Sequence, residues 1–327
     1  MKGVSNALNV CAQNVIPSLF PFLFLSSFIS KSGIIKFKGR FMSSAFKKLF
    51  GAESECLGVI LLSALGGFPV GAKTAESFLD SGNISERTAK RLVLSCANPS
   101  PSFAISAVGF SLFSSKRLGL IIYASVVISN LIIFVLSRYI FDRNASVNRN
   151  QAEKDTEISS SFVSAGKTAS DSMISICTYV ILFSCFCEII RVFIASEEAI
   201  AFICSVFEVT SGTVLLASLG NVPLIAGVIG WGGISVLCQI LGTAKRVKLN
   251  IKLLFASRAL SAFLSVLICD ILMRIFPTAT GVIKISESVN IISNEKNIAV
   301  SLMMLLSCFI FLIGDYRIVR SKKEILK

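Results

Sequence analysis

Five side chains can ionise or hydrogen-bond strongly from inside otherwise apolar runs: Lys73, Asn98, Glu208, Gln239 and Arg258. Such groups are expensive in lipid unless they pair or face water. The chemistry open to them is coordination of an ion or a small polar solute. Catalysis has little to build on, because the chain has no histidine, no paired-carboxylate motif and no phosphate-binding loop. We therefore expect neither an enzyme nor a cofactor, and no metal site. Glu208 reads either as a site or ion-coupling carboxylate, or as the structural partner of a basic residue such as Arg258. Asn98 and Gln239 serve either a ligand or a hydrogen bond between helices. Lys73 contacts solute or snorkels to the headgroups.

Those residues lie beside breaks in the apolar pattern. The run Leu57–Leu65 ends in Gly66-Gly67-Phe68-Pro69-Val70-Gly71-Ala72-Lys73, which cannot prolong a helix cheaply. A second break is Asn98-Pro99-Ser100-Pro101-Ser102, and a third is Gly232-Gly233-Ile234-Ser235. Backbone freed in lipid must be satisfied by protein or by a water-lined cavity. The breaks are thus re-entrant or discontinuous elements, and they set the candidate substrate-binding residues: Gly66, Gly67, Pro69, Lys73, Asn98, Ser100, Glu208, Gly232, Gly233, Ser235 and Gln239.

The elements around them belong to a membrane protein. Of 327 residues, 54% are hydrophobic and only 16% charged, and the mean hydropathy is +0.77. A water-soluble fold would leave too much apolar surface exposed. The net charge of +13 does not point to nucleic acid, because the basic residues cluster where apolar segments end. Lys31–Lys48, Lys116-Arg117, Lys245–Lys252 and Arg317–Lys323 are the clusters, as expected for charge flanking a bilayer. Seven of the ten cysteines lie in apolar runs and behave as small hydrophobes.

In order, residues 8–30 give a first span carrying Pro17 and Pro21, retained rather than cleaved, and either a kinked bundle helix or a gate. Residues 36–50 alternate lysine and arginine with phenylalanine, the pattern of an interfacial amphipathic helix. Thr74–Leu79 returns as a short second arm after the first break, and Asn83 or Ser85 caps the next helix. Leu118–Ile140 is a clean span with Asn130 as its lone amide, and further spans cover 172–194, 249–276 and 297–314. With the broken segments counted as hairpins, about seven to nine full crossings are expected.

The polar stretch 142–161 divides the chain near its middle. Ser172–Phe186 lies against Asn14–Phe28, Gly232–Val236 against Gly66–Val70, and Lys252–Ser257 against Arg91–Cys96, at offsets of 158, 166 and 161. The expectation is an all-α polytopic membrane protein of two homologous halves, residues 1–141 and 162–327, joined by the linker 142–161. Each half carries a discontinuous or re-entrant element, and an odd number of crossings per half would make the repeat inverted.

Pro17-Ser-Leu-Phe-Pro-Phe22, Gly66-Gly-Phe-Pro-Val-Gly-Ala-Lys73, Gly82-x-Ile-Ser-x-x-x-Ala89 and Asn98-Pro-Ser-Pro-Ser-Phe103 resemble the sporulation integral membrane protein YlbJ family. Glu208–Gly212 and Gly232–Val236 fit it too. That family sits in the nucleoside-recognition, or Gate, group, related to the membrane part of ferrous-iron transporters and to concentrative nucleoside transporters. The family pattern has a second asparagine beside Asn98, where this chain has Cys96-Ala97. The resemblance implies a multi-pass protein of a bacterial plasma membrane, in the forespore or mother cell, needed for spore cortex formation. By fold analogy it implies a transporter or channel for a small solute or ion. A scaffold or assembly factor of the spore envelope is the alternative. Expected partners are the bilayer, the solute, further copies of the chain or other sporulation proteins.

Overall fold

The computed structural model describes residues 2–32, 50–52, 55–141 and 158–277, all within one unit, Met1–Lys284. The expected amphipathic helix at 36–50 (Phe50 apart) and the last span at 297–314 with its basic tail lie outside the described residues, as does most of the linker.

Every regular element among the described residues is helical. The first is nearly continuous: α1 (Lys2–Val10), a π-helical turn (Cys11–Val15) and α2 (Ile16–Ser32). Pro17 and Pro21 cannot donate to the carbonyls four residues back, and the π turn just before them, closed by Ile16 N–H on the Cys11 carbonyl, takes up the misfit. Next come α3 (Cys56–Gly66) and α4 (Phe68–Asp80), which fold back on each other as a hairpin. Thr74–Leu79 is therefore a returning arm, as its sequence requires. Gly67 forms the tip with φ 98° and ψ −179°, a conformation open only to glycine. The arms close tightly, because a Cβ on Gly71 would strike the Cys96 carbonyl oxygen and the Ser63 hydroxyl.

Ser85, rather than Asn83, caps α5 (Glu86–Ser95) by accepting from Thr88 N–H. The chain then unwinds through Cys96–Ser100 and resumes as a π-helix (Ser102–Phe110) running into α6 (Ser111–Phe113). Two prolines cause the break, and Ser100 Oγ accepts from Phe103 N–H at 3.2 Å on its far side. The long α7 (Lys116–Leu136) completes the first half.

After the linker, α8 (Ile158–Phe193) is a single long helix, so the last four positions of the expected linker are already helical. A second hairpin follows, α9 (Glu197–Phe207) and α10 (Val209–Ala217), with Glu208 at its tip. Here Gly212 lets the arms meet, since a Cβ would overlap Ser205 Cα. α11 (Val222–Trp231) and α12 (Gly233–Thr243) form one span interrupted at Gly232, and α13 (Ile251–Ile275) is the last described helix.

Among the described residues, four helical stretches are long and apolar enough to cross a bilayer: 116–139, 160–193, 222–243 and 251–275. Leu19–Ile29, Cys56–Gly66 and Ser102–Phe113 are shorter apolar stretches. Long helices pack on each other, α2 against α8 and α7 against α13. Cys11, Leu23, Met173, Ile176 and Val180 form the core of the first contact, while Ile122, Val126, Val228, Ile229 and Cys269 belong to the larger core around the second.

Candidate functional site

The first break is built around Asn130, two-thirds of the way along α7. Its amide nitrogen donates to Asn98 Oδ1 at 2.8 Å and to the Ala97 carbonyl at 3.0 Å. Its amide oxygen accepts from Ser261 Oγ at 2.9 Å and from Arg258 at 3.1 Å, both on α13. Asn98 in turn donates to Ser63 Oγ at 3.0 Å, and Ser63 donates to the Cys96 carbonyl at 2.6 Å. One network thus joins the first hairpin, the unwound segment, α7 and α13. Asn130 brings a second amide against Asn98 from α7. Beside the network is a void of about 10 Å³ lined by Ser95, Cys96, Asn98 and Asn130, room for about one water.

Among the described residues Arg258 does not pair with Glu208. Its guanidinium reaches the carbonyls of Leu94 and Ala97, at and just past the C-terminal end of α5, where the helix dipole favours a cation. Gly67, the first hairpin tip, sits against Ser100: a Cβ there would come 3.4 Å from Ser100 Cβ and 2.9 Å from Leu19 Cδ2. Gly66 and Pro69 are buried beside it.

The second break repeats this contact with different chemistry. Gly233 abuts the second hairpin tip, where a Cβ would lie 2.9 Å from the Phe207 carbonyl oxygen and 3.1 Å from Glu208 Cα. Trp231 Nε1 donates to the Val206 carbonyl at 3.0 Å and pins the break to the tip. Glu208 is 1% exposed, and its two carboxylate oxygens accept from Thr210 N–H at 3.0 Å and Ser211 N–H at 2.6 Å. It is the N-cap of α10, a stabilising place for negative charge. The N-terminus of α12 opposite has no side-chain cap at Gly232. Ser235 Oγ, in its first turn, is fully buried with no hydrogen-bond partner. Gln239 is buried one turn further along.

Gly67 thus touches Ser100 and Gly233 touches the Phe207–Glu208 tip, while the helices that follow the two glycine pairs, α4 and α12, pack on each other. Lys73 lies apart from both tips, bound to Glu76 at 2.7 Å. Glu76 also accepts from Arg246 N–H at 2.8 Å, and Arg246 pairs with Asp80 at 3.1 Å. Burial holds the Asp80 carboxyl above the usual carboxylate range in spite of that guanidinium. This cluster clasps the base of the first hairpin to the loop after α12.

Residues 12–122 match the Gate family, described as nucleoside recognition. This chain is similar to the Gate family over those residues and to YlbJ over most of its length. It is 20% identical over 320 residues to the sporulation integral membrane protein YlbJ of Bacillus subtilis (strain 168), across 85% of this chain and 78% of that one. No solved structure matches significantly. The resemblance read from the motifs therefore holds, and with the four apolar helices it makes the chain an integral membrane protein. The Gate match spans the first hairpin, the first break and the start of α7, and stops before Asn130.

Sequence reasoning missed Asn130, Ser63, Ser261, Glu76 and Arg246. Asn130 was findable as the lone amide of its span. Serines in membrane helices give no such signal, because most bond their own backbone.

Proposed function

We propose that this chain is a transporter- or channel-like protein for a small solute or ion in the plasma membrane of a sporulating bacterium, acting in spore cortex formation. One observation carries the reading: in each half a hairpin tip lies against a broken span, Gly67 on Ser100 and Glu208 on Gly233. Such pairs offer half-helix ends and unwound carbonyls at membrane depth. The second tip is the more suited to a ligand, with the Glu208 carboxylate, the uncapped α12 N-terminus and the unpartnered Ser235 hydroxyl.

Each half has the order long helix, hairpin, broken span, long helix. With the hairpins counted as re-entrant, each half crosses three times, and the halves form an inverted repeat. Packing of α2 on α8 and of α7 on α13 supports a two-fold relation between the halves. That path also brings the C-terminal end of α2 and the basic loop 245–252 to one face. Contacts from Asp80 to Arg246, and from Arg91 to the Phe50 and Gly51 carbonyls, tie residues of that face together. By the positive-inside rule this face is cytoplasmic.

Nucleosides, metal ions and peptidoglycan-related solutes are the substrate classes to test, the first because of the Gate description. Reconstituted in liposomes, the protein is expected to pass one of them in a saturable manner, and Glu208→Ala to abolish the flux. Flux without saturation would indicate a gated pore without coupling. Unchanged flux in Glu208→Ala would remove the second tip from the site. The second reading, a non-transporting scaffold or assembly factor of the spore envelope, draws on the closed first break, where the void holds only about 10 Å³. Under that reading Glu208→Ala sporulates normally provided it folds.

A further inference from the structure

Arg258 sits eight residues into the 25-residue α13 and is 1% exposed. A guanidinium in such a place normally has a carboxylate beside it, because an unpaired buried charge is costly. Here all its acceptors are neutral oxygens: the carbonyls of Leu94 and Ala97, and Asn130 Oδ1. No ion pair to it occurs among the described residues, and its Nε has no partner.

The acceptors have a common character. Leu94 O lies in the last turn of α5, at the negative end of the helix dipole, and Ala97 O belongs to unwound backbone. Asn130 Oδ1 is turned toward them by its own amide, which donates to Asn98 and Ala97. Oxygens converging from a helix C-terminus, an unwound segment and an amide form the donor set that a broken membrane helix offers to a free hard cation. Arg258 reaches that set from the opposite half of the chain, over 161 residues of sequence.

We propose that Arg258 is a tethered cation, its guanidinium filling an oxygen site that would otherwise bind a small free cation. The first break then holds a charge that cannot exchange, and α13 is clamped to the unwound segment. Any exchangeable ion would have to use the second break, beside Glu208. The inference does not depend on transport, so its test reads stability instead of flux.

Three variants, purified in detergent, are compared with wild type by Tm in choline, sodium, potassium and low millimolar guanidinium chloride. Arg258→Ala leaves both the oxygens and the space; its Tm falls by roughly 5–10 °C in choline. A saturable recovery of at least half that loss is expected in guanidinium or an alkali cation. Arg258→Met fills the space without charge and falls without recovery, and wild type does not respond. Arg258→Lys keeps a charge and stays above Arg258→Met. If no cation raises Arg258→Ala more than wild type, the site does not bind a free cation and the proposal fails. Should Arg258→Ala yield no folded protein, the remaining pair decides: Arg258→Lys no more stable than Arg258→Met overturns the proposal.

Discussion

Asn130→Leu is expected to cost about 3 kcal/mol or more, against the roughly 0.6 kcal/mol of an average single hydrogen bond between membrane helices. The difference comes from what the amide leaves behind. Leucine keeps the branched outline, with two bulkier methyl groups, but removes two donors and an acceptor that together make four hydrogen bonds, with Asn98, Ala97, Arg258 and Ser261. Ser261 can turn its hydroxyl elsewhere, but Arg258 cannot leave its site and would keep only the two carbonyls of Leu94 and Ala97. Ser129→Ala, one residue earlier, is the control. Ser129 accepts from Ser265 Oγ at 3.0 Å and donates to its own backbone at Ser125, so a single interhelical bond is lost. Thermal denaturation of the two variants in the same detergent should separate them clearly. Equal losses would mean that the network is not cooperative and that Asn130 is one contact among many.

The second large effect is expected from Gly67→Ala combined with Gly233→Ala. At Gly67 the backbone, φ 98° and ψ −179°, is the region that essentially only glycine enters, and alanine there costs about 1–3 kcal/mol. At Gly233 φ is 81°, and a new Cβ would stand 2.9 Å from the Phe207 carbonyl oxygen, which is backbone and cannot turn away. Each change pushes a hairpin tip off its break, and the double variant does so in both halves. We expect the protein to accumulate and sporulation to fall roughly tenfold or more, the equivalent of about 1.4 kcal/mol in a balanced equilibrium. Immunoblotting of the membrane fraction distinguishes this from simple degradation. Full sporulation with normal protein levels would mean that tip placement does not matter.

How much of this was legible in the sequence depends on the kind of signal. Glycine and proline mark where a helix must stop, so all three breaks were found, and Thr74–Leu79 was read as a returning arm. Glu208 was noticed as a carboxylate in an apolar run, but no glycine or proline flags it as a hairpin tip. Its side chain caps the helix that follows, and a cap of that kind looks in sequence like a stranded charge. The second hairpin was therefore not read, and Gly66–Gly67 was matched to Gly232–Gly233 by composition. In the structure Gly67 is the tip of a hairpin and Gly232 a bend within a span, two uses of the same left-handed freedom. The network at the first break was harder still. Its members are separated by 32 to 164 residues, and only packing of α13 against α7 brings them together.

The central claim is that two halves of three crossings each enclose paired hairpins in opposite orientation. Its most direct test is a map of sidedness, with reporter fusions at residue 150 and residue 278. With the hairpins counted as re-entrant, residue 150 would follow three crossings and residue 278 six. The reporter at residue 150 is expected in the cytoplasm, on the side of the basic loop 245–252, and the reporter at residue 278 on the outer face. Residues 150 and 278 on the same side would give the second half an even number of crossings and contradict the inverted repeat.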